Sequence, residues 1–177
     1  MPDFGLIGKN ISYSFSKTHF SKKFDIEALD YQYENFDISD ISQFPSILKN
    51  NPNILGLNVT IPYKESIIPY LDELNDVAQD IGAVNTIKIE PSGKLKGYNT
   101  DYYGFQQTFK PLLKPHHRQA LILGTGGASK GVAYALKNLN MPFDFVSRNH
   151  NGKAKFTYDD LSEDIIKSYQ IIINCTP

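Results

Sequence analysis

A chain of 177 residues can bury one large core or two small ones. Its 18 Lys and Arg balance 19 Asp and Glu, with no basic block interleaved by aromatics, so nucleic acid is not an expected partner. No apolar run is long enough to span a bilayer, Met1-Pro2-Asp3 does not open a signal peptide, and a single Cys excludes an internal disulfide; together these predict a cytoplasmic protein.

Phe4-Gly5-Leu6-Ile7-Gly8 reads as a first strand, followed by Ser14-Phe15-Ser16. In an extended segment Ser14 and Ser16 face one side and can grip a polyol or carboxylate together; alternatively Ser16 caps an amphipathic helix predicted over 17–29. Alternation predicts a second strand over 31–36, and 41–49 reads as a short helix interrupted near Pro45. Residues 55–61 form a third strand that enters a Pro-led turn and places Lys64 at the start of a helix reaching Leu71. A lysine there opposes the helix dipole, so it is either a solvated charge or a group retained to exchange a proton with a substrate. Strand and helix alternate throughout, as in a parallel sheet.

A polar helix is predicted over 72–81, then a hairpin from 82–90 and 94–100 joined through Pro91-Ser92-Gly93. Asn85 and Asn99, near strand ends, are turn residues or ligands of a substrate hydroxyl. Asp101 precedes a helix over 102–113 and is either its N-cap or a reacting carboxylate. His116 and His117 have no acidic or thiol partner at ligand spacing, so no metal site is expected.

Leu121-Ile122-Leu123-Gly124-Thr125-Gly126-Gly127-Ala128-Ser129-Lys130-Gly131 reads as a buried strand, a glycine turn and the start of a helix. The alternative to a plain tight turn is a pyrophosphate cradle, in which glycines admit the anion to the backbone and the helix N-terminus faces it. The next strand, 143–149, ends in Ser147-Arg148-Asn149 where an enzyme selecting NAD usually carries an acidic residue. Either Arg148 is a solvated charge or it forks a 2'-phosphate, which makes NADP the expected cofactor. Residues 169–177 read as a buried strand entering a loop, where a doubly wound domain would continue, so the chain is expected to be truncated and its sheet edge exposed.

Taken in order, Ser14-Phe15-Ser16, Asn58-Val59-Thr60-Ile61-Pro62-Tyr63-Lys64, Gly82-Ala83-Val84-Asn85-Thr86, Gly97-Tyr98-Asn99-Thr100-Asp101, Gly124-Thr125-Gly126-Gly127-Ala128-Ser129 and Ile173-Asn174-Cys175-Thr176-Pro177 resemble shikimate dehydrogenase over essentially the whole chain. The resemblance implies an α/β protein: an N-terminal substrate domain with a mostly parallel sheet, over 1–102, and a partial Rossmann NADP-binding domain, over 103–177, with catalysis in the cleft between them. It implies that Lys64 and Asp101 are the catalytic pair, that Ser14 and Ser16 hold the substrate carboxylate, and that Thr60, Asn85 and Asp101 hold ring hydroxyls. By the same resemblance Gly124, Thr125, Gly126, Gly127, Ala128 and Ser129 cradle the pyrophosphate. Ser147, Arg148 and Asn149 read the 2'-phosphate, and Asp76 and Thr176 are further cofactor candidates.

The implied reaction is reversible reduction of 3-dehydroshikimate to shikimate with NADPH, a step of aromatic amino-acid biosynthesis, by a monomer or homodimer. Quinate oxidation with NAD, and ligand binding without chemistry, are the other readings. Departures from the family pattern are Tyr13 and Lys17 around the serine pair, Ser-Arg-Asn at 147–149, and the absence of a later Gly-Met loop and of a C-terminal helix carrying Gln. Turnover by this chain is therefore left open.

Overall fold

The computed structural model describes residues 3–150 and 152–176. Two compact units meet in the sequence between Asn99 and Thr100. The first contains β1 (Phe4–Gly8), α1 (Phe15–Ile26), β2 (Tyr33–Asp37), a 3-10 turn at Ile41–Gln43 running into α2 (Phe44–Asn50), and β3 (Gly56–Val59). A second 3-10 turn at Ile68–Tyr70, β4 (Glu73–Leu74), α3 (Asp76–Ile81), β5 (Thr86–Ile89) and β6 (Leu95–Tyr98) complete it.

Its strands lie in the order β2-β1-β3-β5-β6-β4. β1 runs parallel to β2 and β3, while β5 is antiparallel to β3 and β6. Strand alternation divides the side chains between two faces. Ile7, Leu57, Val59 and Ile87 enter a core with Phe44, Ile67 and Val84, each at most 3% exposed. Burial of one such side chain contributes roughly 1.5–3 kcal/mol. On the opposite face Leu6 and Tyr33 pack under Phe20 and Phe24 of α1. The same face carries a row set by register, in which Leu6 lies opposite Asn58, Asn58 opposite Thr86 and Thr86 opposite Tyr98.

The second unit contains α4 (Asp101–Phe109), a 3-10 turn at Lys110–Leu112, β7 (Ala120–Leu123), α5 (Gly127–Asn138), β8 (Phe143–Ser147), β9 (Phe156–Thr157), α6 (Glu163–Ser168) and β10 (Ile171–Asn174). The strand order is β10-β7-β8-β9, parallel throughout. Ala120, Leu121 and Ile122 are fully buried, as expected of a central strand covered on both faces. α4 lies against α5, with Tyr102 edge-on to Tyr134 at 5.2 Å and Asn138 donating to Gln106. No helix among the described residues is long and apolar enough to cross a membrane.

Several expected elements are redrawn. No α-helix runs from Lys64 to Leu71: the chain makes successive turns, and Pro69, which has no N–H to donate, sits in the closing 3-10 turn. The polar helix expected over 72–81 is β4 followed by α3, which starts at Asp76 because Asn75 caps it by accepting from Ala78 N at 2.9 Å. The helix expected over 102–113 starts one residue earlier and turns 3-10 at Lys110, beside Pro111. β9 and α6 fall outside the sequence reading: one is two residues long, and only Ile165 of the other packs into a core.

One carboxylate fixes the path from β1 to α1. Asp37, the last residue of β2, accepts from Asn10 N at 2.8 Å and from Ile11 N at 3.0 Å. Asn10 is held in the left-handed region, at φ 56°, and Ile11 is buried. Asp37→Ala is expected to lower the unfolding free energy by about 1–3 kcal/mol, with Asp37→Asn losing less, measured by urea denaturation.

Candidate functional site

Two backbone hydrogen bonds build the polar cluster of the first unit. Val59 N donates to Asn85 O at 2.8 Å, and Val84 N donates to Lys64 O at 2.7 Å. They stitch the segment leaving β3 to the segment entering β5, so Thr60, Lys64 and Asn85 gather although more than twenty residues separate the first from the last. Gly82 makes the approach possible by ending α3 at φ 66°, a conformation that glycine adopts without a Cβ penalty. Thr60 N donates to Ile7 O at 2.9 Å and Lys9 N to Ile61 O at 3.1 Å, which brings the loop after β1 alongside.

Ser14 and Ser16 are not an extended pair. Ser14 is the N-cap of α1, its Oγ accepting from Ser16 N at 3.3 Å, and Ser16 is already helical. The capping role expected for Ser16 therefore belongs to Ser14, because the helix begins at Phe15 rather than Lys17. Lys64 is half-buried, and since no helix begins there the dipole reading of that position is withdrawn. Asp101 is the first residue of α4, and Thr100 occupies its N-cap position.

Asn85 is 8% exposed, and its side-chain oxygen accepts from Thr86 Oγ1 at 3.0 Å. Asn99, 3% exposed, donates from Nδ2 to Ala83 O at 3.0 Å, a tie that supports the Ala83–Asn85 segment. Two residues missed in the sequence join this group. Tyr33 Oη donates to Asn58 Oδ1 at 2.8 Å, which aims Asn58 Nδ2 at Asn85 O and Thr86 Oγ1, both 3.5 Å away. The available signal was a polar Asn58 between apolar Leu57 and Val59. Burial pushes the Tyr33 hydroxyl far above the ordinary phenol range, partly offset by Ser16, so it remains a donor. Asp76 is exposed in the first turn of α3, where its charge suits the helix N-terminus.

The second unit presents its candidates at the carboxyl ends of parallel strands. Gly124 N donates to Val146 O at 2.9 Å and Cys175 N to Leu123 O at 2.9 Å, so the ends of β7, β8 and β10 lie side by side. From β7 the chain steps to β8 and β9 on one side, then returns as β10 on the other. β7 and β10 therefore flank a topological switch point, where open α/β sheets bind ligands. Gly124, at φ 106°, holds a conformation that strains any side chain, and an added Cβ would press to 3.2 Å from Cys175 O. An added Cβ at Gly126 would meet nothing, and Gly126 caps the twelve-residue α5 without a side chain, leaving its amide end open to an anion.

Ser129 is fully buried, and its Oγ donates to Gly126 O at 2.7 Å, bracing the turn from within. Ser147 ends β8, and Arg148 and Asn149 follow it, both exposed. Thr176 donates to Asn174 Oδ1 from both N, at 3.0 Å, and Oγ1, at 2.6 Å. Burial pushes the Cys175 thiol up to about 11, so it stays protonated beside the turn. Pro177, where the last motif ends, lies outside the described residues. Glycines that admit the backbone to a ligand, an open helix end and an exposed guanidinium past the next strand fit a dinucleotide carrying a 2'-phosphate.

Comparison with known proteins finds relatives that cover both units. Residues 6–87 match the family model of the shikimate dehydrogenase substrate binding domain. The shikimate dehydrogenase (NADP(+)) of Clostridium botulinum is 39% identical over 184 residues, covering 98% of this chain and 70% of that protein. Among solved structures, shikimate dehydrogenase 1 from Peptoclostridium difficile superposes with a TM-score of 0.84 at 37% identity, covering 100% of this chain and 67% of the other. Shikimate 5-dehydrogenase from Thermus thermophilus, in complex with NADP(H) and shikimate, gives 0.83 at 28% identity, covering 99% and 69%.

Gly124→Ala is expected to cost about 1–3 kcal/mol of stability, since alanine disfavours that φ and its methyl presses on the Cys175 carbonyl. Gly126→Ala, in open space at φ −80°, is expected to stay within about 0.5 kcal/mol. Paired thermal and urea denaturation separates the two.

Proposed function

Because the chain belongs to the shikimate dehydrogenase family, we propose that its first unit binds 3-dehydroshikimate and its second binds NADPH for a reversible reduction to shikimate. The observation that carries the reading is the convergence of Thr60, Lys64 and Asn85 through the two backbone bonds across 59–64 and 84–85. NADPH supplies the hydride.

Thr60 and Asn85 orient the ring hydroxyls, and Ser14 and Ser16 receive the carboxylate. As the ketone carbon accepts hydride its oxygen becomes an alkoxide, and Lys64 Nζ donates the proton that makes it a hydroxyl. In the reverse direction Nζ takes that proton back. Asp101 is the second group of the proton-exchanging pair and accepts from a neighbouring substrate hydroxyl as a carboxylate. The backbone from Gly124 to Ser129 receives the pyrophosphate. Arg148, with Ser147 and Asn149, receives the 2'-phosphate, and Thr176 and Asp76 are further cofactor ligands in this reading. The protein acts in the cytoplasm as a monomer or homodimer.

The test is reduced-nicotinamide formation with shikimate or quinate, each with NADP or NAD. Shikimate with NADP is the expected productive pair, and folded protein inactive with all four, yet binding shikimate, would move the non-catalytic reading forward. Lys64→Ala is expected to lower kcat at least about a hundredfold with little change in shikimate affinity. Arg148→Ala is expected to weaken NADP about tenfold and leave NAD unchanged, measured by fluorescence titration.

A further inference from the structure

The Tyr33 hydroxyl lies at the asparagine side of the substrate cluster. Tyr33 is 5% exposed and its ring stacks on Phe20 at 4.8 Å and 12°, a packing that phenylalanine would satisfy equally. Tyr33 also lines a cavity of about 480 Å³, whose wall is aromatic and aliphatic at Phe4, Phe24 and Leu57 and polar at Asn58 and Thr86. The hydroxyl donates to Asn58 Oδ1 at 2.8 Å.

An asparagine amide has two ends of similar shape and opposite polarity, and only its partners decide which way it faces. Tyr33 has a proton to give, so it takes the Oδ1 end and turns Nδ2 toward Asn85 O and Thr86 Oγ1. Those two contacts are 3.5 Å long, too weak to fix the amide alone. Thr86 in turn donates to Asn85 Oδ1 at 3.0 Å, which passes the orientation on to a residue read here as a hydroxyl ligand.

We propose that Tyr33 is a positioning residue for substrate binding: its hydroxyl sets the Asn58 amide and, through Thr86, the Asn85 side chain, so that the hydroxyl-binding side of the site is preorganised. The proposal rests on the reading of this cluster as the shikimate site. Tyr33 acts through Asn58.

Calorimetric titration of shikimate into this chain and into Tyr33→Phe, Asn58→Ala and the double variant tests it, with circular dichroism confirming the fold and Asn58→Ser standing in if Asn58→Ala does not fold. Tyr33→Phe is expected to raise Kd about tenfold, the scale of one well-placed hydrogen bond. If the hydroxyl works through Asn58, the double variant binds within about twofold of Asn58→Ala alone. A Tyr33→Phe Kd within twofold of the unsubstituted chain, with or without a lower thermal midpoint, overturns the proposal, as does a double variant whose loss is the product of the two single losses. Unsubstituted folded chain that fails to bind shikimate overturns the site reading, and this proposal falls with it.

Discussion

The hydrogen bonds from Val59 N to Asn85 O and from Val84 N to Lys64 O are the constraint on which the first unit's chemistry depends. The first continues the β3–β5 register by one pair, the second lies beyond it, and they join residues 26 and 20 apart in sequence. They form because β3 and β5 lie side by side with their apolar residues on one face, and because Gly82 turns the chain sharply enough to deliver Val84 to the Lys64 carbonyl. The segment after β3 is further held by Thr60 N on Ile7 O and by the buried Tyr63 and Ile67, so that Thr60 and Lys64 stay near Asn85. Core packing and site geometry are thus one problem, since the burial of Val59 and Val84 sets the backbone on which the polar groups stand.

The second unit solves its problem by leaving groups out. At Gly124 a positive φ and the nearby Cys175 carbonyl disfavour a side chain, at Gly126 an added Cβ would meet nothing, and at the start of α5 the cap carries no side-chain acceptor. The polarity on offer is that of backbone amides, which pay no side-chain entropy on meeting an anion. Ser129 shows the division of labour: its hydroxyl faces inward to the Gly126 carbonyl, holding the shape of a turn whose outer surface stays bare.

Much of this was legible in the sequence because glycine, proline and alternation have local physical causes. The strand, turn and helix at 121–138 follow from an apolar run, glycines and a long amphipathic stretch, and the hairpin at 86–98 from its turn residues. The errors share a cause as well. A helix expected at Lys64, a cap expected at Ser16 and another at Asp101 each came from local periodicity, and each was overridden by a neighbour in sequence or space: Pro69, the earlier start of α1, and Thr100. Tyr33 and Asn58 lay beyond reach for a different reason. Period-two alternation says which face of a strand a residue occupies, but their partnership joins β2 to β3 across β1, and strand order is a property of the whole sheet.

That strand order explains why the polar row exists at all. β1 sits between β2 and β3 and contributes Leu6 to the row, so Tyr33 must reach over an apolar neighbour to meet Asn58. A long, rigid side chain with its donor at the tip spans that distance, whereas a shorter hydroxyl would not. α1 covers the near end of the same face with Phe20 and Phe24, which dries the ring of Tyr33 while its hydroxyl remains among polar groups. A buried donor of this kind is costly if its acceptor turns away, so the same desolvation that raises the cost of the hydroxyl also holds the Asn58 amide in one orientation. The orientation of the Asn58 amide is in this sense a consequence of how α1 packs.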